Sequence, residues 1–133
     1  MSAKKANSYS FSYGINTNVI KFYINTKDIF LDINTAITCS FVVNELVSSS
    51  LKHAFPGGKK GEIKIAMSPL NKNEVELVVN DDGIGIPKEV DFRSPDSLGL
   101  HLVTILVEDQ LQGAIKLDRK RGTIFHIRFG RKR

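Results

Sequence analysis

The chain has 133 residues, 41% hydrophobic and 25% charged, which fits one compact domain with a single core and excludes a largely disordered polypeptide. No stretch approaches the roughly 18 uncharged apolar residues of a membrane-spanning helix, and the single cysteine, Cys39, excludes an intramolecular disulfide and a multi-cysteine zinc site. The formal charge of +5 suits either a nucleic acid or a smaller polyanion such as a nucleotide, and by itself chooses neither.

Residues 1–17 are rich in Ser, Asn and Lys and read as a flexible lead-in, with no apolar run behind the two lysines to make a secretory signal. The expectation is a soluble, cytoplasmic protein whose folded domain occupies residues 18–133. Residues 19–24 (VIKFYI) are β-branched and aromatic and predict a strand, and 29–32 (IFLD) predict a second, short one before a helix capped by Asn34 or Thr35. From Ala36 to Ala54, Cys39, Val42, Val43, Leu46, Val47, Leu51 and Ala54 recur at helical spacing and form one buried stripe. The other face stacks Glu45, Ser49, Lys52 and His53, and Pro56-Gly57-Gly58 ends the helix.

Residues 62–69 and 74–80 alternate in polarity around the turn Asn71-Lys72-Asn73 and predict a hairpin. Residues 81–97, broken by glycine and proline, read as a long functional loop. Leu98–Leu111 is a second amphipathic helix with Gly113 as its C-terminal cap, and strands at 114–118 and 123–129 close the chain across Arg119-Lys120-Arg121-Gly122. The pattern predicts an α+β two-layer sandwich: a mixed, mostly antiparallel sheet with helices packed on one face. Neither GxGxxG after a first strand nor GxxxxGK[ST] occurs, which argues against a doubly wound dinucleotide fold and a P-loop.

Three short motifs could carry chemistry. Asp81-Asp82-Gly83-Ile84-Gly85-Ile86-Pro87 follows a strand, where glycines let backbone approach a flat ligand and a carboxylate can accept from an exocyclic amine. Taken alone it is equally a turn. Ser97-Leu98-Gly99-Leu100 opens a helix whose free amides favour an anion, although glycine at a helix start is common, and Gly122-Thr123 is compatible with an ordinary hairpin.

Their order is more specific. The helix NELVSSSLKHAFP, then DDGIGIP, then SLGLHLV, then GT before the last strand, together resemble the ATP-binding catalytic domain of sensor histidine kinases, in the GHKL superfamily with the Bergerat ATP-binding fold. The resemblance runs from about Asn18 to the C-terminus. It implies that Asp81 accepts from the adenine amino group, that Gly83, Gly85 and Ile86 shape that side of the pocket, and that Thr123 lies near adenine. It also implies that Gly99 and Leu100 form the hinge at the phosphate end, that Lys52 approaches the phosphates, and that His53 stands beside the nucleotide. Glu45 falls where superfamily members keep an acidic residue that polarises water or supports a metal.

One position departs from the pattern. Ser49 stands where the family supplies a magnesium-ligating asparagine, and its hydroxyl is a shorter and poorer neutral oxygen ligand. The resemblance thus implies ATP and Mg2+ as ligands, Pro87–Ser97 as the ATP lid, and transfer of the γ-phosphoryl group to a histidine on a separate dimerisation domain, with a response regulator downstream. None of His53, His101 and His126 sits in a phosphoacceptor-like context. Two alternatives stay open: a stand-alone serine/threonine kinase of the anti-sigma-factor type, and a nucleotide-binding pseudokinase, suggested by Ser49. A nucleic-acid partner is not expected, because the aromatics fall at strand positions rather than in a basic patch.

Overall fold

The computed structural model describes residues 8–13, 20–26, 29–86, 91 and 98–130. Strands β1 (Ser8–Tyr13), β2 (Ile20–Thr26), β3 (Gly61–Pro69), β4 (Glu74–Asp81), β5 (Ala114–Asp118) and β6 (Thr123–Gly130) form one sheet in the order β1-β2-β3-β4-β6-β5. Among the described residues only the β2–β3 pair is parallel. Helix α1 (Ile33–His53) is the crossover between them, and helix α2 (Leu98–Ile105) follows β4. This is the mixed, mostly antiparallel sheet with helices on one face that the strand and helix periodicities predict.

Burial alternates along each central strand, as a sheet covered on one face requires. On β4 the inward row is Val75, Leu77, Val79 and Asp81, and on β6 it is Thr123, Phe125, Ile127 and Phe129. The register places Asp81 opposite Thr123 and, on its other side, Ile63. The outward face is charged, with Arg128 3.6 Å from Glu74, His126 3.8 Å from Glu76 and Lys64 3.9 Å from Glu62. His126 therefore lies on the polar side of the sheet.

Helix α1 buries Thr35, Cys39, Val42, Leu46 and Ser50 against the inner face. Burial pushes the Cys39 thiol up to about 11, so it stays protonated and acts as a core residue. Among the described residues no helix is long and apolar enough to cross a membrane.

Several boundaries differ from the sequence expectation, each for a physical reason. Ser8–Tyr13, expected within the lead-in, pairs antiparallel with β2 instead; residues 1–7 and 14–19 lie outside the described residues. Residues 29–32 form no strand, because Asp32 takes the N-cap of α1. Its Oδ1 accepts from the Thr35 amide at 2.7 Å and its carbonyl accepts from Ala36 at 3.0 Å, so the helix starts before Asn34 and Thr35 can cap it.

The second helix ends in a π turn, Leu106–Gln110. There the left-handed residue is Gln112 (φ 52°), not Gly113. Gly113 is required by space: its amide donates to the Val107 carbonyl at 2.8 Å, and a Cβ on it would lie 2.2 Å from the Arg128 carbonyl oxygen.

The cap makes a direct prediction. Asp32→Ala should cost about 1 kcal/mol and lower Tm by roughly 4 °C for a domain of this size, whereas Asp32→Asn, which keeps the acceptor, should melt close to the wild type.

Candidate functional site

A cavity of about 550 Å3 opens between the C-terminal half of α1, the adjoining ends of β4 and β6, the segment Ile84–Ile86 and the start of α2. That volume is in the range of small-molecule sites. Leu46, Ala54, Ile86, Leu100 and Phe125 give it apolar walls, and Asp81 and Thr123 lie buried at its floor.

Asp81 is only 3% exposed. Its Oδ2 accepts from Ser50 Oγ at 2.7 Å, its Oδ1 accepts from the Gly83 amide at 3.0 Å, and the Thr123 amide is a further donor. Burial raises the carboxyl above its ordinary value and the nearby Asp82 charge adds to this, while the donors from Ser50, Gly83 and Thr123 oppose it. A carboxylate has about four lone-pair directions, so Asp81 keeps the capacity to accept from an amine on a ligand in the cavity.

Two close backbone approaches shape the surrounding loops. The Ile84 amide donates to the Ala54 carbonyl at 2.9 Å, and a Cβ on Gly83 would lie 2.3 Å from that same oxygen. Gly122 (φ 66°) comes so near β4 that a Cβ there would be 2.1 Å from the Asp81 carbonyl oxygen. Glycine thus lets the loop after β4 and the turn before β6 close against α1 and against each other. Asp82 faces elsewhere: its Oδ1 accepts from the Glu62 amide at 2.8 Å and its own amide donates to the Glu62 carbonyl at 3.2 Å.

Of the residues singled out in the sequence, Glu45, Ser49, Lys52, His53, Asp81, Gly85, Ile86, Gly99, Leu100 and Thr123 all line this cavity. Gly83 does not; it packs against Ala54 and holds Asp81 from behind. Glu45 and Ser49 are half-buried, whereas Lys52 and His53 are exposed at the rim. A Cβ on Gly99 would lie 3.1 Å from Glu45 Oε2, so α2 begins directly against that carboxylate. The segment expected as a lid, 87–97, lies outside the described residues except for Asp91.

Ser50 is the site residue that the sequence reading passes over. It sits four residues after Leu46 and four before Ala54, on the buried stripe, and a serine at an apolar position signals a polar partner across the core. Ser48, Ala54 and Phe125 also line the cavity. Among the described residues no group of three or more His, Cys, Asp or Glu could hold a metal. Glu45 and Ser49 of α1 present side-chain oxygens to the cavity one helical turn apart.

Residues 34–133 match the family model described as histidine kinase-, DNA gyrase B-, and HSP90-like ATPase. The sensor histidine kinase PdtaS of Mycobacterium tuberculosis is 34% identical over 107 residues, covering 77% of this chain and 21% of its own length. The blue-light-activated histidine kinase 2 of Erythrobacter litoralis is 28% identical over 89 residues, covering 67% of this chain and 26% of its own. In three dimensions, the histidine kinase domain of the Erythrobacter litoralis EL346 kinase superposes with a TM-score of 0.71 at 28% identity, covering 78% of this chain and 48% of that one. The chain spans between 17% and 26% of the length of these curated relatives.

Two outcomes follow from the buried carboxylate. Because its pKa is raised in the folded state, the stabilising contribution of protonated Asp81 is complete below the ordinary value of 3.8. It is lost as pH rises from there through the raised folded value, and is constant above it. Asp81→Asn, which removes this titration, should gain stability relative to the wild type over that window in melts run from acid to neutral pH. Ser50→Ala removes a donor from a buried acceptor and should cost about 1–3 kcal/mol at neutral pH, with the loss shrinking toward low pH.

Proposed function

Because this chain belongs to the histidine kinase-, DNA gyrase B-, and HSP90-like ATPase family, we propose that it binds ATP with Mg2+ as the catalytic domain of a two-component sensor histidine kinase. A single domain over residues 18–133 carries the activity, in the cytoplasm where ATP is available. The γ-phosphoryl group passes to a histidine on a separate dimerisation domain, and from there to a response regulator. The observation that carries this reading is the buried Asp81 carboxylate, with spare acceptor capacity, in a cavity of about 550 Å3 with apolar walls.

A flat purine fits such a cavity: Leu46, Ile86, Leu100 and Phe125 take its faces and edges, and Asp81 accepts from its exocyclic amine while Thr123 offers a hydroxyl beside it. The phosphates then extend toward Lys52 and the start of α2, where the carboxylate of Glu45 meets Gly99. Lys52 supplies a cation there, with His53 alongside. In phosphoryl transfer most of the rate comes from positioning and charge neutralisation. Magnesium, when bound, would supply neutralisation of the phosphate charge. Glu45 and Ser49 would hold it, with water completing the shell, since Mg2+ usually keeps several waters.

The acceptor histidine comes from another domain in this reading. His126 is on the outward face of the sheet beside Glu76, and His101 does not line the cavity. Ser49 in place of an amide ligand supports a second reading, a nucleotide-binding pseudokinase that binds ATP without transferring phosphate.

Titration calorimetry with ATP, with and without Mg2+, tests the proposal. Wild type should bind, and Asp81→Asn should lose most of its affinity while remaining folded; undiminished binding would remove the adenine assignment. Ser49→Asn should strengthen the Mg2+-dependent part, and an unchanged titration would place the metal on other groups. With labelled ATP and a helical histidine-containing domain, acid-labile label on that domain supports the kinase, acid-stable label on a hydroxyl supports a serine/threonine kinase, and binding without label supports the pseudokinase.

A further inference from the structure

Three hydroxyls on the helices of this chain bond back to their own helix. Thr38 Oγ1 donates to the Asn34 carbonyl at 3.0 Å, Ser40 Oγ to the Ala36 carbonyl at 2.9 Å and Thr104 Oγ1 to the Leu100 carbonyl at 3.2 Å, each one turn earlier. Ser50 behaves differently. It is 9% exposed and lines the cavity, and its Oγ donates to Asp81 Oδ2 at 2.7 Å, across 31 residues of sequence. A hydroxyl has one proton and two lone pairs. With the proton committed to Asp81, anything further that Ser50 Oγ offers is acceptor only.

We infer that Ser50 is a specificity-determining residue: with Asp81 it forms a pair of adjacent acceptors that suits a purine carrying an exocyclic amine at C6 and rejects one carrying an oxo group there. The inference rests on the nucleotide reading and adds to it a determinant outside Asp81. The carboxylate already accepts from Ser50, from the Gly83 amide and from the Thr123 amide, so of about four acceptor directions about one is left. One N–H of an amino group takes it, and the other N–H has the lone pairs of Ser50 Oγ beside it. An oxo group in the same place meets lone pairs from both residues and gives up its hydrogen bonds to water without replacement, the circumstance in which a polar site discriminates most strongly. Thr123 adds nothing to this choice, because a hydroxyl turns to donate or to accept as the ligand requires.

The space that Ser50 fills matters as much as its lone pairs. A water in place of Oγ has two protons, and it can donate one to Asp81 and the other to an oxo group, bridging the carboxylate to the disfavoured base. Serine puts there an oxygen with a single proton, which Asp81 holds. Alanine at this position removes the oxygen and opens a polar recess, continuous with the cavity, to such a water.

Titration calorimetry without Mg2+, so that Glu45 and Ser49 do not enter as metal ligands, tests this with three probes: ATP, ITP with its 6-oxo group, and purine riboside triphosphate with no group at C6. Wild type should favour ATP over ITP by roughly 100-fold or more, and Ser50→Ala should lower that ratio by about tenfold. A merely structural role would weaken all three probes alike and leave their ratios unchanged. Ser50→Thr keeps the hydroxyl and should keep the wild-type ratio. Ser50→Cys keeps the volume with a weaker donor; it should give an intermediate ratio, and it replaces Ser50→Ala if circular dichroism shows that the alanine variant does not fold. A wild type that binds none of the three probes overturns the nucleotide reading and this inference with it. ATP binding whose preference over ITP is unmoved by Ser50→Ala or Ser50→Cys, or is as low in Ser50→Thr as in Ser50→Ala, overturns the role of Ser50 and leaves the nucleotide reading standing.

Discussion

A carboxylate buried in an apolar core has to be hydrogen-bonded, and much of this site is organised around that requirement at Asp81. Its inward position on β4 follows from the row Val75, Leu77, Val79, because side chains alternate faces with period two. Once there it needs donors, and they come from three separate pieces of chain: Ser50 on α1, the Gly83 amide in the following loop, and Thr123 at the start of β6. The contacts that hold the carboxylate therefore also fix α1 and two loops against the end of the sheet. About one acceptor direction is left over on a residue that lines the cavity.

The glycines serve the same end by removing side chains where backbones must touch. Gly83 allows the Ala54 carbonyl to come close, Gly122 allows the carbonyl of Asp81 itself to do so, and Gly99 sets the start of α2 against Glu45. These are approaches between segments distant in sequence. A cavity built this way has fixed walls at the Asp81 end, while charged and flexible side chains gather at its rim.

Helix α1 divides its circumference among three tasks. One stripe, from Cys39 through Val42 and Leu46 to Ser50, fills the core. A second face presents Glu45, Ser49, Lys52 and His53 to the cavity. The N-terminal half leaves Ile33, Ile37 and Phe41 to solvent. The charged residues are confined to the C-terminal half, where the cavity is, and Lys52 and His53 also complement the negative end of the helix dipole.

Most of the site was legible in the sequence because its parts sit on strongly periodic segments or in glycine-marked turns. The exceptions are instructive. Asp32 rather than Asn34 or Thr35 caps α1, since several neighbouring side chains can cap in isolation and the geometry of the arriving chain selects one. Gln112 rather than Gly113 adopts the positive φ, because the glycine was needed where the Arg128 carbonyl crowds it. Ser8–Tyr13 became a strand through pairing with β2, an energy absent from local composition. By itself the sequence determined the alternation of β4, the stripe of α1 and the glycine turns, all consequences of local period and backbone freedom. Only the tertiary structure decided that Ser50 would meet Asp81, 31 residues away, because that contact depends on sheet register and on the depth at which the helix packs, neither of which a local pattern specifies.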